Sequence, residues 1–340
     1  MKKRILACLL ALVMLIGVLP VMALAEDSSE AVSVHDEKAI IGSTGVEYDT
    51  LDEAMKYAAS VDTIYLGKGT YCGNAENPTA SGNGAGKSLT FVGAGTGETT
   101  WQIRALEQYG GDGGDGWCDY SFRGSDSITF QNMTVTGSVY LEGSKWARVG
   151  HNNTQGLTYI NHITLENCIF NGRADYWGYK TTTFENVTFN APGTEASGIP
   201  DVDNKVDYSL WTYTGKSYTF KNCTFNSAGK TINVYRHGDP GYDVTVNFEN
   251  CTAINTGISK KSVLNINDST LSDEHKYFIN ISGDNSVFGV GADDITCSRL
   301  FGFGGKLKIG NNTGRTIVNI EDTTVWKDGK MVKHNVDITG

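Results

Sequence analysis

One six-residue pattern recurs along this chain: an apolar residue, any residue, Asn or Asp, any residue, usually Thr, and then usually an apolar residue. Copies run from Phe130 to Val135, Leu165 to Phe170, Phe184 to Phe189, Phe220 to Phe225, Phe248 to Ala253, Ile266 to Leu271 and Ile320 to Val325. Such self-similarity is the mark of a solenoid, in which each unit buries its apolar side only by stacking on the next.

A single copy shows why. Tyr218-Thr219-Phe220-Lys221 alternates like a half-buried strand, Asn222 interrupts, and Cys223-Thr224-Phe225 resumes. Asparagine tolerates the left-handed backbone of a sharp bend better than other non-glycine residues, and its amide can bond the same group one coil away. Asn132, Asn167, Asn186, Asn222 and Asn250 are therefore expected to stack as a ladder, with Asp268 and Asp322 in the same place later on. These bends are 35, 19, 36, 28, 18 and 54 residues apart. A coil of the shortest length holds three short strands and three turns, and longer intervals need insertions. The expected fold is all-β: a single-stranded right-handed parallel β-helix, a solenoid of three sheets with strands about 4.8 Å apart. The 41 Gly, 5 Pro and 10% aromatics agree with short strands and tight turns.

The ends divide the rest. Lys2, Lys3 and Arg4 precede an apolar run from Ile5 to about Leu19, and Ala23-Leu24-Ala25 is a cleavage site, so residues 1–25 read as a secretory signal. A membrane anchor is the competing reading; no later run is long enough to span a bilayer. Residues 26–45 are expected to be a flexible segment, 46–327 the β-helix and 328–340 a tail. In Tyr48 to Ala59, Leu51, Ala54, Met55, Ala58 and Ala59 share one helical face behind Thr50 as N-cap, an N-terminal helix suited to capping the open stack.

Removing the signal takes the formal charge from minus 10 to minus 13. Overall charge thus argues against a polyanion groove and against nucleic acid as partner. Six of the seven Cys remain after Cys8 leaves. Cys168, Cys223 and Cys251 occupy the post-bend place held elsewhere by Met133, Val187, Ser269 and Thr323, which fits reduced, buried thiols; a Cys223–Cys251 bond between adjacent coils is the alternative.

From Thr50 to Gly93, and through the Phe-x-Asn-Cys-Thr-Phe copies, the chain resembles the pectin-lyase-like β-helix superfamily. More narrowly, it is similar to β-helix segments of secreted or cell-surface proteins of gram-positive gut bacteria. The likeness covers roughly residues 46 to 327 and implies the fold far more than a function, since that superfamily holds polysaccharide lyases, glycoside hydrolases, adhesins and domains without activity. Its polygalacturonase-type hydrolases use clustered aspartates with a Gly-His-Gly. Here the Asp pair is Asp293-Asp294, and His237 sits in Arg236-His237-Gly238-Asp239. Pectate lyases use Ca²⁺-binding acids with an Arg or Lys base. Neither signature is matched.

Other motifs dissolve into turns. Ser81 to Ser88 misses the first glycine of a phosphate loop, and Gly93-Ala94-Gly95-Thr96-Gly97 fails the dinucleotide spacing. Gly110 to Asp119 carries Asp112, Asp115 and Asp119, whose oxygens could bind Ca²⁺; a solvated loop is the simpler reading, and no cofactor is required. The best site reading is an aromatic series before the bends: Tyr140, Tyr176 with Trp177, Trp211 with Tyr213, and Tyr235, with Asp175, Arg236 and His237 nearby. Aromatic faces stack on sugar rings; alternatively, half these rings point inward as core. The expected function is an extracellular or cell-surface, adhesin-like module that binds polysaccharide or surface glycan as a monomer, without turnover. The rival is a polysaccharide lyase or glycoside hydrolase working through Asp175, Arg236, His237 or the Asp112 to Asp119 loop.

Overall fold

A computed structural model describes residues 32–72, 83–103, 122, 125–137, 147–149, 160–171, 174–176, 180–191, 209–212, 215–227, 231–236, 241–255, 262–268, 275–290, 299–304, 316–327 and 330–339. The expected signal, residues 1–25, lies outside them. No helix among the described residues is long and apolar enough to cross a membrane.

Three stacks of parallel strands run through the unit Val34–Gly340. The first holds β3 (Thr63–Leu66), β5 (Leu89–Gly93), β7 (Ser127–Gln131), β10 (His162–Glu166), β13 (Thr181–Glu185), β16 (Ser217–Lys221), β19 (Val244–Glu249), β22 (Tyr277–Ser282) and the start of β25 (Thr316–Lys327). The second holds β4 (Gly69–Cys72), β6 (Thr99–Ile103), β8 (Thr134–Gly137), β11 (Ile169–Asn171), β14 (Thr188–Ala191), β17 (Thr224–Ser227), β20 (Thr252–Asn255), β23 (Val287–Val290) and the end of β25. The third holds β9 (Ala147–Val149), β12 (Ala174–Tyr176), β15 (Leu210–Thr212), β18 (Ile232–Arg236), β21 (Ser262–Asp268) and β24 (Arg299–Gly304). This is the parallel β-helix the repeat implies.

Alternation explains the interior. Phe91, Phe130, Leu165, Phe184, Phe220, Phe248 and Ile281 share one register row of the first stack, and all are buried. Trp101, Val135, Phe170, Phe189, Phe225, Ala253 and Phe288 do the same in the second. Rings meet their equivalents one coil on, Phe220 with Phe248 at 4.9 Å and Phe189 with Phe225 at 5.0 Å. Outside, Thr63, Thr90, Thr129, Thr164, Thr183 and Thr219 form a continuous row that gives way to Asn247, Asn280 and Asn319.

The corner between the first two stacks is the predicted bend. Asn132, Asn167, Asn186, Asn222 and Asn250 hold φ between 51° and 55°. The Asn186 amide donates to Asn167 Oδ1 at 3.0 Å and Asn222 donates to Asn186 Oδ1 at 3.3 Å. Asn250 Oδ1 instead accepts from the Asn285 backbone N–H. The next corner is Gly283, at φ 103°, where a Cβ would stand 2.2 Å from Asn250 Oδ1.

That glycine corrects one expectation. Asp268 is not a bend: it ends β21 in the third stack, in register with Arg236. The copy from Ile266 matches the motif by composition, while the true corner of that coil carries no side chain to read. Asp322 does follow Gly283 by one coil, at a register irregularity between Ile320 and Thr323.

The ends also differ from expectation. Within the stretch taken as flexible, β1 (Ala39–Ile41) lies antiparallel between β2 (Val46–Tyr48) and β3, with Ala39 and Ile41 fully buried. At the other end, β26 (Lys330–Thr339) returns antiparallel along β25 where a tail was expected. Three or ten residues closing a sheet edge need only local alternation, which a search for the coil pattern passes over. Helix α1 (Leu51–Tyr57) buries Leu51, Ala54 and Met55, and Thr50 Oγ1 accepts from the Glu53 N–H as N-cap. Ala59, placed on its apolar face by spacing, is exposed because the helix ends at Ala58. Asp62 fastens this end to the coil: its carboxylate accepts from the Ser43 hydroxyl and N–H and from the N–H groups of Ala59 and Thr63.

Cys168, Cys223 and Cys251 are free and buried. Each thiol donates to backbone carbonyls, Cys251 to those of Phe220 and Glu249 for example. Burial pushes the Cys168 thiol up to about 11, consistent with a small apolar residue rather than a reactive one.

Candidate functional site

The sequence-derived site falls on the third stack, and register places part of it. Asp175 stands beside Arg148 on one side and Trp211 on the other, and Trp211 beside Asn233. Tyr176 shares its row with Val149, Tyr235 with Asn267, and Arg236 with Asp268. Tyr176, Trp211 and Tyr235 thus fall in three different rows, so the described strands do not join them into one ladder. Tyr140, Trp177, Tyr213 and His237 lie outside the described residues, as do Asp112, Asp115 and Asp119. No group of three or more His, Cys, Asp or Glu that could hold a metal occurs among the described residues.

A different site emerges at the amino-terminal ends of the first-stack strands. An open groove of about 740 Å³ crosses β10, β13, β16 and β19 there, lined by His162, Lys180, Thr181, Lys216, Ser217, Tyr242, Asp243 and Thr245. Parallel register makes this lining regular. His162, Thr181, Ser217 and Thr245 form one row, each half-buried and followed by a buried residue, so the alternation that fills the core turns these four outward.

Lys180 and Lys216 directly precede two of these strands on adjacent coils, joined by the Ser217 N–H donating to the Lys180 carbonyl at 3.0 Å. Both are exposed, and neither has an ion-pair partner among the described residues. His162 Nδ1 lies 2.7 Å from Thr181 Oγ1. Asp243, the one carboxylate in the lining among the described residues, accepts from the Lys276 backbone N–H at 2.7 Å. Among the described residues the groove therefore offers hydroxyls, an imidazole, a tyrosine and two cations along several coils, with a single carboxylate held at Oδ1 by a backbone N–H.

No family model matches the chain. No curated protein matches it either. Among solved structures, it is similar to the A-module of mannuronan C-5 epimerase AlgE6 from Azotobacter vinelandii, at 10% identity over 82% of this chain and 94% of that one, with a TM-score of 0.32. The AlgE4 A-module from the same organism is also 10% identical, over 81% of this chain and 93% of that one, with a TM-score of 0.23. The parallel β-helix stands on the strand register described above.

None of the groove residues belongs to the aromatic series. The signal for them lay in the same repeat, read four residues back from its first apolar position: Asp126, Asn161, Lys180 and Lys216 precede Phe130, Leu165, Phe184 and Phe220 by that interval. Two lysines in consecutive copies stand out only when the copies are aligned beyond the bend itself.

Proposed function

We propose that this chain is an exported β-helix module that holds a polysaccharide or cell-surface glycan without turning it over. The observation that carries the reading is the groove across β10, β13, β16 and β19, open and lined by polar groups that recur with the coil. A repeating polymer laid along the axis meets a repeating set of donors and acceptors, about 4.8 Å apart from coil to coil. Hydroxyls beside a tyrosine suit sugars, which present alternating polar and apolar faces. Glycoside hydrolysis calls for two carboxylates flanking the scissile bond. Among the described residues the groove lining supplies Asp243, and that side chain accepts a backbone hydrogen bond. Export follows from the basic start and apolar run of residues 1–25.

The test pairs retention with product. The purified chain is passed over a panel of immobilised plant, bacterial and host glycans, and the same glycans are incubated with it while reducing ends and ultraviolet-absorbing unsaturated ends are followed with and without Ca²⁺. Retention without product is expected. Cleavage abolished by Asp243→Asn or by another single acidic substitution would replace binding with catalysis.

A further inference from the structure

Lys180 and Lys216 occupy matching places on adjacent coils, exposed and without an ion-pair partner among the described residues. Like charges held side by side across neighbouring strands repel each other. The sequence carries a net charge of minus 10, so this local pair of cations opposes the overall field. A structural explanation for the pair would be a neighbouring carboxylate. The one in the groove, Asp243, bonds the Lys276 backbone instead.

Uncharged donors share the groove lining with the two lysines. Ser217 contributes a hydroxyl at the start of its strand, and the His162–Thr181 pair contributes one more donor whichever tautomer is present. If Nδ1–H donates to Thr181, the threonine hydroxyl proton is free to point outward; if Thr181 donates to Nδ1, then Nε2–H is free. Among the described residues the groove thus combines two cations and two neutral donors with one carboxylate, Asp243, whose Oδ1 accepts from the Lys276 N–H. A tetrahedral oxyanion, with three outward oxygens, can meet such donors from several directions at once, whereas a planar carboxylate presents two.

We infer that the groove is a subsite for a sulfate or phosphate ester carried on a glycan, bridged by Lys180 and Lys216 with Ser217 and the His162–Thr181 pair as neutral donors. The inference rests on the glycan-binding reading and narrows it to an ester-bearing polymer. Net charge, which argued against a polyanion groove, is the wrong scale for it: the two lysines, within one coil spacing and without an ion-pair partner among the described residues, outweigh the one carboxylate described in the lining, Asp243, and charges more than about 10 Å away are screened at ordinary ionic strength.

The test measures binding of the full chain to dextran, dextran sulfate, phosphomannan and polygalacturonate immobilised at equal density. Three proteins are compared: the parent, the Lys180→Ala/Lys216→Ala double variant and Lys56→Ala/Lys221→Ala as a charge-matched control outside the groove. Melting curves establish that the variants are folded. Dextran sulfate or phosphomannan should bind at least tenfold more tightly than dextran, the stronger of the two identifying the ester. The double variant should lose at least tenfold on that polymer and the control less than twofold, and added salt should weaken the parent and the control while changing the double variant little. Binding of dextran as tight as that of both its sulfate and phosphomannan leaves the glycan reading standing and overturns the ester subsite. Polygalacturonate bound as tightly as the esters, or a double variant no weaker than the control, overturns it too. Retention of no polymer removes the glycan reading and the subsite together.

Discussion

At the corner between the first and second stacks, five asparagines hold φ near 50° and the residues beside them are mostly phenylalanine, whereas the third stack keeps its register with no residue type fixed in place. Ala147, Ala174, Leu210, Ile232, Leu264 and Phe301 share one of its rows. The difference is one of physical demand. A left-handed corner is costly for every residue except glycine and, less so, asparagine, so few types are admitted. A straight strand asks only that alternate side chains be apolar and of fitting volume, and many satisfy it.

The largest expected effect lies at the corner. Phe220 is fully buried and packs on Phe184, Phe225 and Phe248, so Phe220→Asp places an unpaired charge among rings. A loss of about 5 kcal/mol or more is expected, read as absent soluble protein or a collapsed melting transition. Near-parental stability would mean that the corner is not the keystone of this comparison.

Next comes Asn222 itself. Alanine at φ 51° meets backbone strain of about 1–2 kcal/mol and forfeits the bond to Asn186, so Asn222→Ala should cost about 2 kcal/mol in urea denaturation. Asn222→Gly removes the strain and should recover about half of that loss. If the two variants were equally stable, the left-handed backbone would not be what selects asparagine here.

A smaller effect is expected one residue earlier. Lys221 points outward as alternation requires, but it stands in register between Glu185 and Glu249, with Nζ 3.8 Å from the latter carboxylate. Lys221→Asp should therefore cost about 0.5–1 kcal/mol through three acids in a row, reduced by added salt. A salt-independent loss would point to packing instead.

The smallest effect, with opposite sign, belongs to the third stack. Thr212 is fully buried, and its hydroxyl has no hydrogen-bond partner among the described residues. Thr212→Val keeps the shape and removes a stranded polar group, so stability should stay level or rise by about 1 kcal/mol. Destabilisation would show that this hydroxyl is satisfied in solution and that the third stack is more specified than its sequence implies.

Legibility followed the same division. The Asn corners, the Phe-lined interior, the N-capped helix and the buried cysteines could be read because each imposes a narrow chemical choice at a fixed interval. Gly283 escaped because a glycine corner satisfies the backbone without displaying the motif, and Asp268 imitated it from a straight strand. The antiparallel β1 and β26 escaped because a short edge strand repeats nothing. The groove was only half visible. Lys180 and Lys216 are in the repeat's register, but their joint meaning arises from parallel pairing over 36 residues of sequence, which sets them on neighbouring coils with His162 and Tyr242 along the same opening.

The carboxamide rows carry a direction. Asn186 donates to Asn167 and Asn222 to Asn186; Asn190 donates to Asn171 and Asn226 to Asn190; Asn280 donates to Asn247 and Asn319 to Asn280. In every case the later residue gives and the earlier one receives, so three files of aligned dipoles run lengthwise and reinforce one another. A chain that folds from its amino end would find, after each completed rung, an oxygen already in place for the next amide.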